Sequence, residues 1–356
     1  MSQPKIYFGA GPAKLPQEVL AKAAEAILDY NHTGLSILEI PHRGKHFEEI
    51  LEESKQLVKE LCGIGDDYEV LWLQGGGRHQ FAMIPMNFLG ESATAGYIDS
   101  GHWSADALNA AKYYGGVEVL ASSREDHYTH LPHWPKAIRK DLAYVHFTTN
   151  NTIYGTQWPD MPECPVPLIA DMSSDIFSVQ RDYTKCALFY AVAQKNIGPA
   201  GATLVVVRKD MLDRIVRSLP DALSYQGQAA ANSLLNTPPV FAIYTSMLML
   251  RWIAAKGMEQ IAQENRAKAK LLYDCIEQHP AFYAVAQEGS RSLMNVVFRS
   301  TDEAAERALT ARSTEANIEG IQGHRSVGGF RASIYNAVTL ADVQQLVEVI
   351  NSISGS

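Results

Sequence analysis

A mainly parallel α/β sheet of seven strands in a large unit, joined to a smaller α+β unit, is the fold class that this sequence predicts. Three observations predict it. Apolar runs of strand length alternate with helix-length spacers between residues 69 and 207, the signature of strands joined by crossover helices. The runs 188–193 and 202–207 are apolar runs of the kind that strands buried on both faces show, and Gly198-Pro199-Ala200-Gly201 reverses the chain between them. From Met258 onward the texture changes to a charged helix followed by short strands and helices. The division expected is a large domain over 15–256 and a small one made of 1–14 and 257–356.

Taken in order, Gly9-Ala10-Gly11-Pro12 is a turn, and Pro16 starts a helix that runs to about Tyr30. A short apolar segment, 35–40, leads to the loop Pro41-His42-Arg43-Gly44. That pair is either an anion grip or two solvated side chains. The helix 46–61 carries a one-sided stripe of Ile50, Leu51, Leu57, Val58 and Leu61. A strand over 69–73 then runs into Gln74-Gly75-Gly76-Gly77-Arg78 and a helix to Phe88. Strand, glycine turn and helix aim backbone N–H groups and the helix dipole at a phosphate, although three glycines also make a plain tight turn. Strands over 94–98, 117–121, 143–149 and 168–172, with a helix over 103–114, complete the set. Asn236-Thr237-Pro238-Pro239 reads as the cap of a long helix ending near Lys256. The small unit holds a helix to about His279, strands over 293–298 and near 330–335, and helices over 301–316 and 340–353.

The bulk numbers narrow the function. The 356 residues are 46% hydrophobic and 20% charged, enough for two domains. A net charge of −8 and a pI near 5.8 exclude nucleic acid or an anionic membrane as the main partner, while leaving room for local basic pockets. Cys62, Cys164, Cys186 and Cys275 show no C-x-x-C or metal-ligand spacing, so free thiols and no metal are expected. The first residues lack the basic-then-apolar layout of a signal peptide, and the apolar segment 240–255 is interrupted by Arg251. A cytoplasmic protein is the expectation.

The chemistry gathers at strand ends. In sheets of this class ligands bind beyond the carboxyl ends of the strands. Lys195 follows one apolar run; a lysine against apolar walls loses its proton readily and can then condense with a carbonyl. A lysine pointing to water is the simpler alternative for that stretch alone. Asp171 closes another run, where an unpaired carboxylate would cost several kcal/mol, on the order of known burial penalties. A helix N-cap is its alternative, with Ser173-Ser174 behind it. Trp103 and Thr152 stand near two further strand ends. Lysine, aspartate, glycine turn and tryptophan together match what pyridoxal 5′-phosphate requires: an amine for its aldehyde, an anion for its ring nitrogen, donors for its phosphate and a flat face for its ring. His42-Arg43 and His324-Arg325 with Arg331 imply a substrate bearing at least two anionic groups.

These residues carry a resemblance. The runs 193–201, 75–81, 236–239 and 323–329, with Gly11-Pro12-Ala13 and 331–337, resemble the phosphoserine aminotransferase family essentially end to end. The resemblance implies a fold-type I, class V homodimer with shared active sites. It implies interconversion of O-phospho-L-serine and 2-oxoglutarate with 3-phosphohydroxypyruvate and L-glutamate, and action on 4-phosphohydroxy-L-threonine in pyridoxine synthesis. By matching motif, Lys195 is the covalent lysine, Asp171 the ring-nitrogen partner, Trp103 the stacking face and Thr152 the contact to the phenolic oxygen. Gly77, Arg78 and Gln194 hold the cofactor phosphate, with Asn236 and Thr237 from the other subunit. Arg331 takes the substrate α-carboxylate, and His42 and Arg43 of one subunit face His324 and Arg325 of the other around the distal anion. Val192, Pro41, Gln322 and His79 depart from the family pattern, which bears on substrate affinity. The rival readings are another fold-type I enzyme, such as an alanine–glyoxylate type transaminase or a cysteine desulfurase, and a binder of the cofactor without turnover.

Overall fold

The computed structural model describes residues 5–354. Its strands in chain order are β1 (Ile6–Tyr7), β2 (Tyr68–Leu73), β3 (Thr94–Asp99), β4 (Gly116–Ser122), β5 (Val145–Thr148), β6 (Leu168–Asp171), β7 (Leu188–Val192), β8 (Thr203–Arg208), β9 (Phe282–Ala284), β10 (Asn295–Ser300), β11 (Ile318–Glu319) and β12 (Phe330–Ser333). Seven of them form one sheet in the order β2-β8-β7-β6-β5-β3-β4. β7, β6, β5, β3 and β4 are parallel neighbours. β8 is antiparallel to both β7 and β2, because the short connection after Lys195 returns the chain beside β7 without a crossover.

β6 and β7 are buried on both faces, as their largely apolar composition predicts. Alternate side chains enter opposite cores. On β8, Leu204 and Val206 pack under the helices Gln17–Leu28, Lys45–Cys62 and Val240–Lys256, whereas Val205 and Val207 pack under Gly76–Phe88 and His102–Ala111. β12, β10 and β9 form an antiparallel sheet, and β1 pairs in parallel with β11. Phe8 joins the apolar cluster built from residues 269–353, so the opening segment packs with the end of the chain.

Three features differ from the sequence reading. β1, β9 and β11 are only two or three residues long and carry no period that could announce them. Tyr225–Ala230 is a helix, capped by the Ser224 side chain accepting from Gly227 N–H. The helix Val240–Lys256 starts at Pro239 with no side-chain cap, so Asn236 and Thr237 are not its caps. No helix among the described residues is long and apolar enough to cross a membrane.

Candidate active site

β7 ends at Val192, and residues 193–196 coil into a single helical turn that carries Lys195. That turn is tied on several sides. Ala193 N–H donates to Ala202 O at 3.0 Å, and Ala13 N–H to Gln194 O at 2.9 Å. Asn196 Nδ2 donates to Ile176 O at 2.6 Å, while its Oδ1 accepts from Asn336 N–H at 3.1 Å. The Gly11 backbone lies so close that a Cβ there would sit 3.3 Å from Lys195 Cγ. Lys195 thus opens into a cavity of about 260 Å³ walled by Gly77, Phe81, Trp103, Asp171, Ser173 and Val192, with Gly75, Arg78 and Gln194 also lining it. Burial lowers its pKa to about 8, with Asp171 working against the shift and Arg331 adding to it. Among the described residues the amine makes no hydrogen bond. A surface lysine is not what the fold builds.

Asp171, at the tip of β6, is 4% exposed. One carboxylate oxygen accepts from Ser173 N–H at 2.9 Å, but residues 173–178 are turns, so no helix begins there for it to cap. Burial raises its pKa; Lys195 and Ser173 oppose that rise. Trp103 stands in the first turn of His102–Ala111, its ring centroid 6.0 Å from Lys195 Nζ, and its Nε1–H donates to Thr152 Oγ1 at 3.0 Å. The glycine turn supplies the next wall. Gly75 has φ +94°, and a Cβ on it would strike the His79 ring at 2.3 Å. Gly76 N–H is taken by Thr203 Oγ1 at 3.1 Å. The amides of Gly77 and Arg78 follow in the first turn of the helix, where no intrahelical carbonyl is available to them. The Arg78 guanidinium is engaged elsewhere: it donates to Asp106 at 3.0 Å and lies over the Trp103 ring at 5.4 Å.

Of the basic residues, Lys195 and Arg78 line this cavity, and the others stand behind it or apart from it. Arg331 on β12 donates from Nη1 to Thr152 O at 3.1 Å, and its Nε is buried without a partner. The His324 ring lies 6.2 Å from that of His102, itself 4.9 Å from Trp103. Burial, Arg331, His102 and Arg325 all lower the His324 pKa. Arg325 is exposed. His42 and Arg43 do not line the cavity; His42 Nε2 is buried and unpaired, and Arg43 is exposed. Asn236 and Thr237 are exposed beside the glycine turn, where Asn236 Nδ2 reaches Gln74 Oε1 at 3.4 Å and Gln74 Nε2 reaches Thr237 O at 3.2 Å.

Sequence reasoning missed Phe81 and Ser173, and it set Val192 outside the chemistry although its side chain forms cavity wall. Phe81 and Val192 sit in runs that look like ordinary core. Ser173 had a signal, since a serine two residues after a strand-end aspartate commonly closes an Asx turn. The donor set fits pyridoxal phosphate on its own terms: a free amine, a buried carboxylate, an aromatic face and open helix amides converge on one cavity, and Arg331, its Nε orphaned, is tied to the Thr152 carbonyl beside Trp103.

Comparison with known proteins agrees. The family profile "Aminotransferase class-V" matches residues 6–346. The phosphoserine aminotransferase of Bacillus subtilis is 45% identical over 341 residues, 95% of each chain. The structure of the phosphoserine aminotransferase from Bacillus circulans subsp. alkalophilus superposes with a TM-score of 0.95 at 43% identity, covering 99% of both chains. That of the pyridoxal-phosphate-bound phosphoserine aminotransferase from Trichomonas vaginalis gives 0.93 at 34% identity, covering 98% of this chain and all of the other. The chain belongs to the class-V aminotransferases, among their phosphoserine aminotransferases.

Proposed function

We propose that this chain is a pyridoxal-phosphate-dependent transaminase that interconverts O-phospho-L-serine and 2-oxoglutarate with 3-phosphohydroxypyruvate and L-glutamate, in serine biosynthesis. The observation that carries the reading is the Lys195 amine, free of hydrogen bonds among the described residues and with its pKa lowered to about 8, in one cavity with the Asp171 carboxylate. When bound, pyridoxal phosphate supplies an aldehyde for the amines and a ring that withdraws electrons from the substrate Cα. Lys195 would hold the cofactor through its aldehyde and, with its amine free, would take up and return the proton of the substrate Cα. Asp171 would accept from the ring nitrogen, Trp103 would cover the ring and Thr152 would meet its phenolic oxygen. The amides of Gly77 and Arg78, with Gln194, would hold the phosphate. Arg331 grips the substrate α-carboxylate with its orphaned donor, and His324 with Arg325 reads the distal phosphate or carboxylate.

The remaining assigned residues call for a second copy of the chain. His42 and Arg43 would complete the distal anion site of the other subunit, and Asn236 and Thr237 its cofactor-phosphate site. Exposed Leu28, Leu35 and Leu38 (84%, 44% and 63%) just before the His42 loop support a homodimer covering that face. The same reading divides the chain into a large domain, 15–256, and a small one of 1–14 and 257–356, operating in the cytoplasm. It adds 4-phosphohydroxy-L-threonine as a second substrate on the way to pyridoxine.

The test is transamination from glutamate to 3-phosphohydroxypyruvate, beside pyruvate and oxaloacetate. A preference of about 100-fold or more for the phosphorylated acid is expected, the scale of losing a charged hydrogen-bonded partner. Turnover with only the unphosphorylated acids would move the chain to another transaminase group. Absence of any glutamate-driven absorbance change would leave a binder without turnover.

A further inference from the structure

Beneath Asp171 lies a polar row that the reaction as described does not use. Register pairs Asp171 on β6 with Tyr190 on β7, and pairs Thr148 and His146 on β5 with Asp171 and Ile169. Tyr190 and Ile169 point into the same core, under the helix Gly76–Phe88. From there the Tyr190 side chain spans β6: its hydroxyl lies 3.0 Å from His146 Nε2, two strands away. Adjacent strands are about 4.8 Å apart, so the tyrosine ring must lie across β6 to make that bond. We propose that His146 and Tyr190 form a buried donor relay that positions Asp171 and keeps it an acceptor for the cofactor's ring nitrogen. This rests on the assignment of Asp171 made above.

The direction of the relay follows from what is left unpaired. His146 is 1% exposed, and its Nδ1 is buried with no partner. Burial alone lowers its pKa to about 3, so the ring is neutral and carries one N–H. A proton on Nδ1 would be an orphaned buried donor, whereas a proton on Nε2 leaves only an orphaned lone pair, the cheaper fault. With Nε2–H donating to the Tyr190 oxygen, the phenol proton is free to point at Asp171. Burial, followed by the charge of Asp171, pushes the Tyr190 pKa well up, so that proton stays on. Tyr97 stacks on His146 at 5.2 Å and 27°, which fixes the plane of the imidazole. The other groups acting on Asp171 are Lys195, the Ser173 turn and Asp175. His146 and Tyr190 touch neither substrate nor reacting atoms; they act through Asp171 as positioning residues.

The test uses the apo-protein and two ligands followed by absorbance: pyridoxal phosphate, and the analogue in which a C–H group replaces the ring nitrogen. Tyr190→Phe keeps the ring and removes the hydroxyl. It should weaken pyridoxal phosphate about 10-fold, the scale of one hydrogen bond to a charged group, and leave the analogue within about 2-fold. Equal weakening of both ligands would mean that the pair only packs the core, and would overturn the relay. His146→Gln, which keeps an N–H, should lie closer to wild type than His146→Leu does; indistinguishable variants would also overturn it. Asp171→Asn is the control on the underlying assignment. If it discriminates between the ligands and Tyr190→Phe does not, the relay fails while that assignment stands. If Asp171→Asn also weakens both ligands equally, the assignment fails and the relay with it.

Discussion

Lys195 and Lys268 are both desolvated lysines, and burial lowers their pKa values to about 8 and about 7. Their surroundings are opposite. Lys268, 1% exposed on the helix Met258–Gln278, donates to Ile334 O, Tyr335 O and Val338 O at 2.9, 2.8 and 2.9 Å. All three of its protons have acceptors, so it staples the chain after β12. Lys195 has none, and a cavity in front of it. A depressed pKa therefore marks burial; the missing acceptors mark the lysine that can react. The two are also linked. The stapled segment carries Asn336, whose N–H holds Asn196 beside Lys195 and whose side chain joins Asn265 to Phe177 O, both at 2.8 Å.

The largest effect should come from Lys195→Ala, which loses turnover by about 1,000-fold or more, within or beyond the range for losing a general acid–base group, while the melting temperature barely moves. Retained activity would remove the contrast at its root. Next is pH. Covalent capture of pyridoxal phosphate by the apo-protein needs neutral Lys195, so its rate should rise about tenfold per pH unit up to pH about 8 and flatten above, read by stopped-flow absorbance. The sign for stability runs the same way: with folded values below the unfolded 10.5, the unfolded chain binds more protons between about 8 and 10.5, and stability gains from these two lysines as pH rises through that window.

Lys268→Met should do the reverse of Lys195→Ala. Stranding three buried carbonyls costs about 3 kcal/mol by urea midpoint, with kcat of the folded enzyme within about 3-fold. A loss of turnover at unchanged stability would break the comparison. The smallest effect sharpens the link: Asn336→Ala leaves Asn265 and Phe177 O short of one partner each, costing about 2 kcal/mol and lowering kcat a few-fold. Unchanged kcat would show that the stapled segment does not tune the Lys195 turn.

Much of this was legible in residue order. The central strands announced themselves because a strand buried on both faces is mostly apolar, and 188–193 or 202–207 can be little else. Lys195 and Asp171 were legible because a charge at the end of such a run is costly without a purpose or a partner. Trp103 and Arg331 could be named, but not the way Thr152 joins them, its hydroxyl accepting from one and its carbonyl from the other. Arg78 was read as a phosphate donor; that its exposed guanidinium reaches Asp106, 28 residues on, was not legible.

Residue order alone determined the seven strands of the large sheet and which charged groups stand at strand ends, since burial of apolar runs and the cost of a buried charge act locally along the chain. Only the tertiary structure decided that Lys268 has three acceptors and Lys195 none among the described residues, or that positions 146, 171 and 190 share one face of the sheet. Those outcomes depend on sheet order and register, which place atoms a few ångströms apart that the chain separates by up to 70 residues.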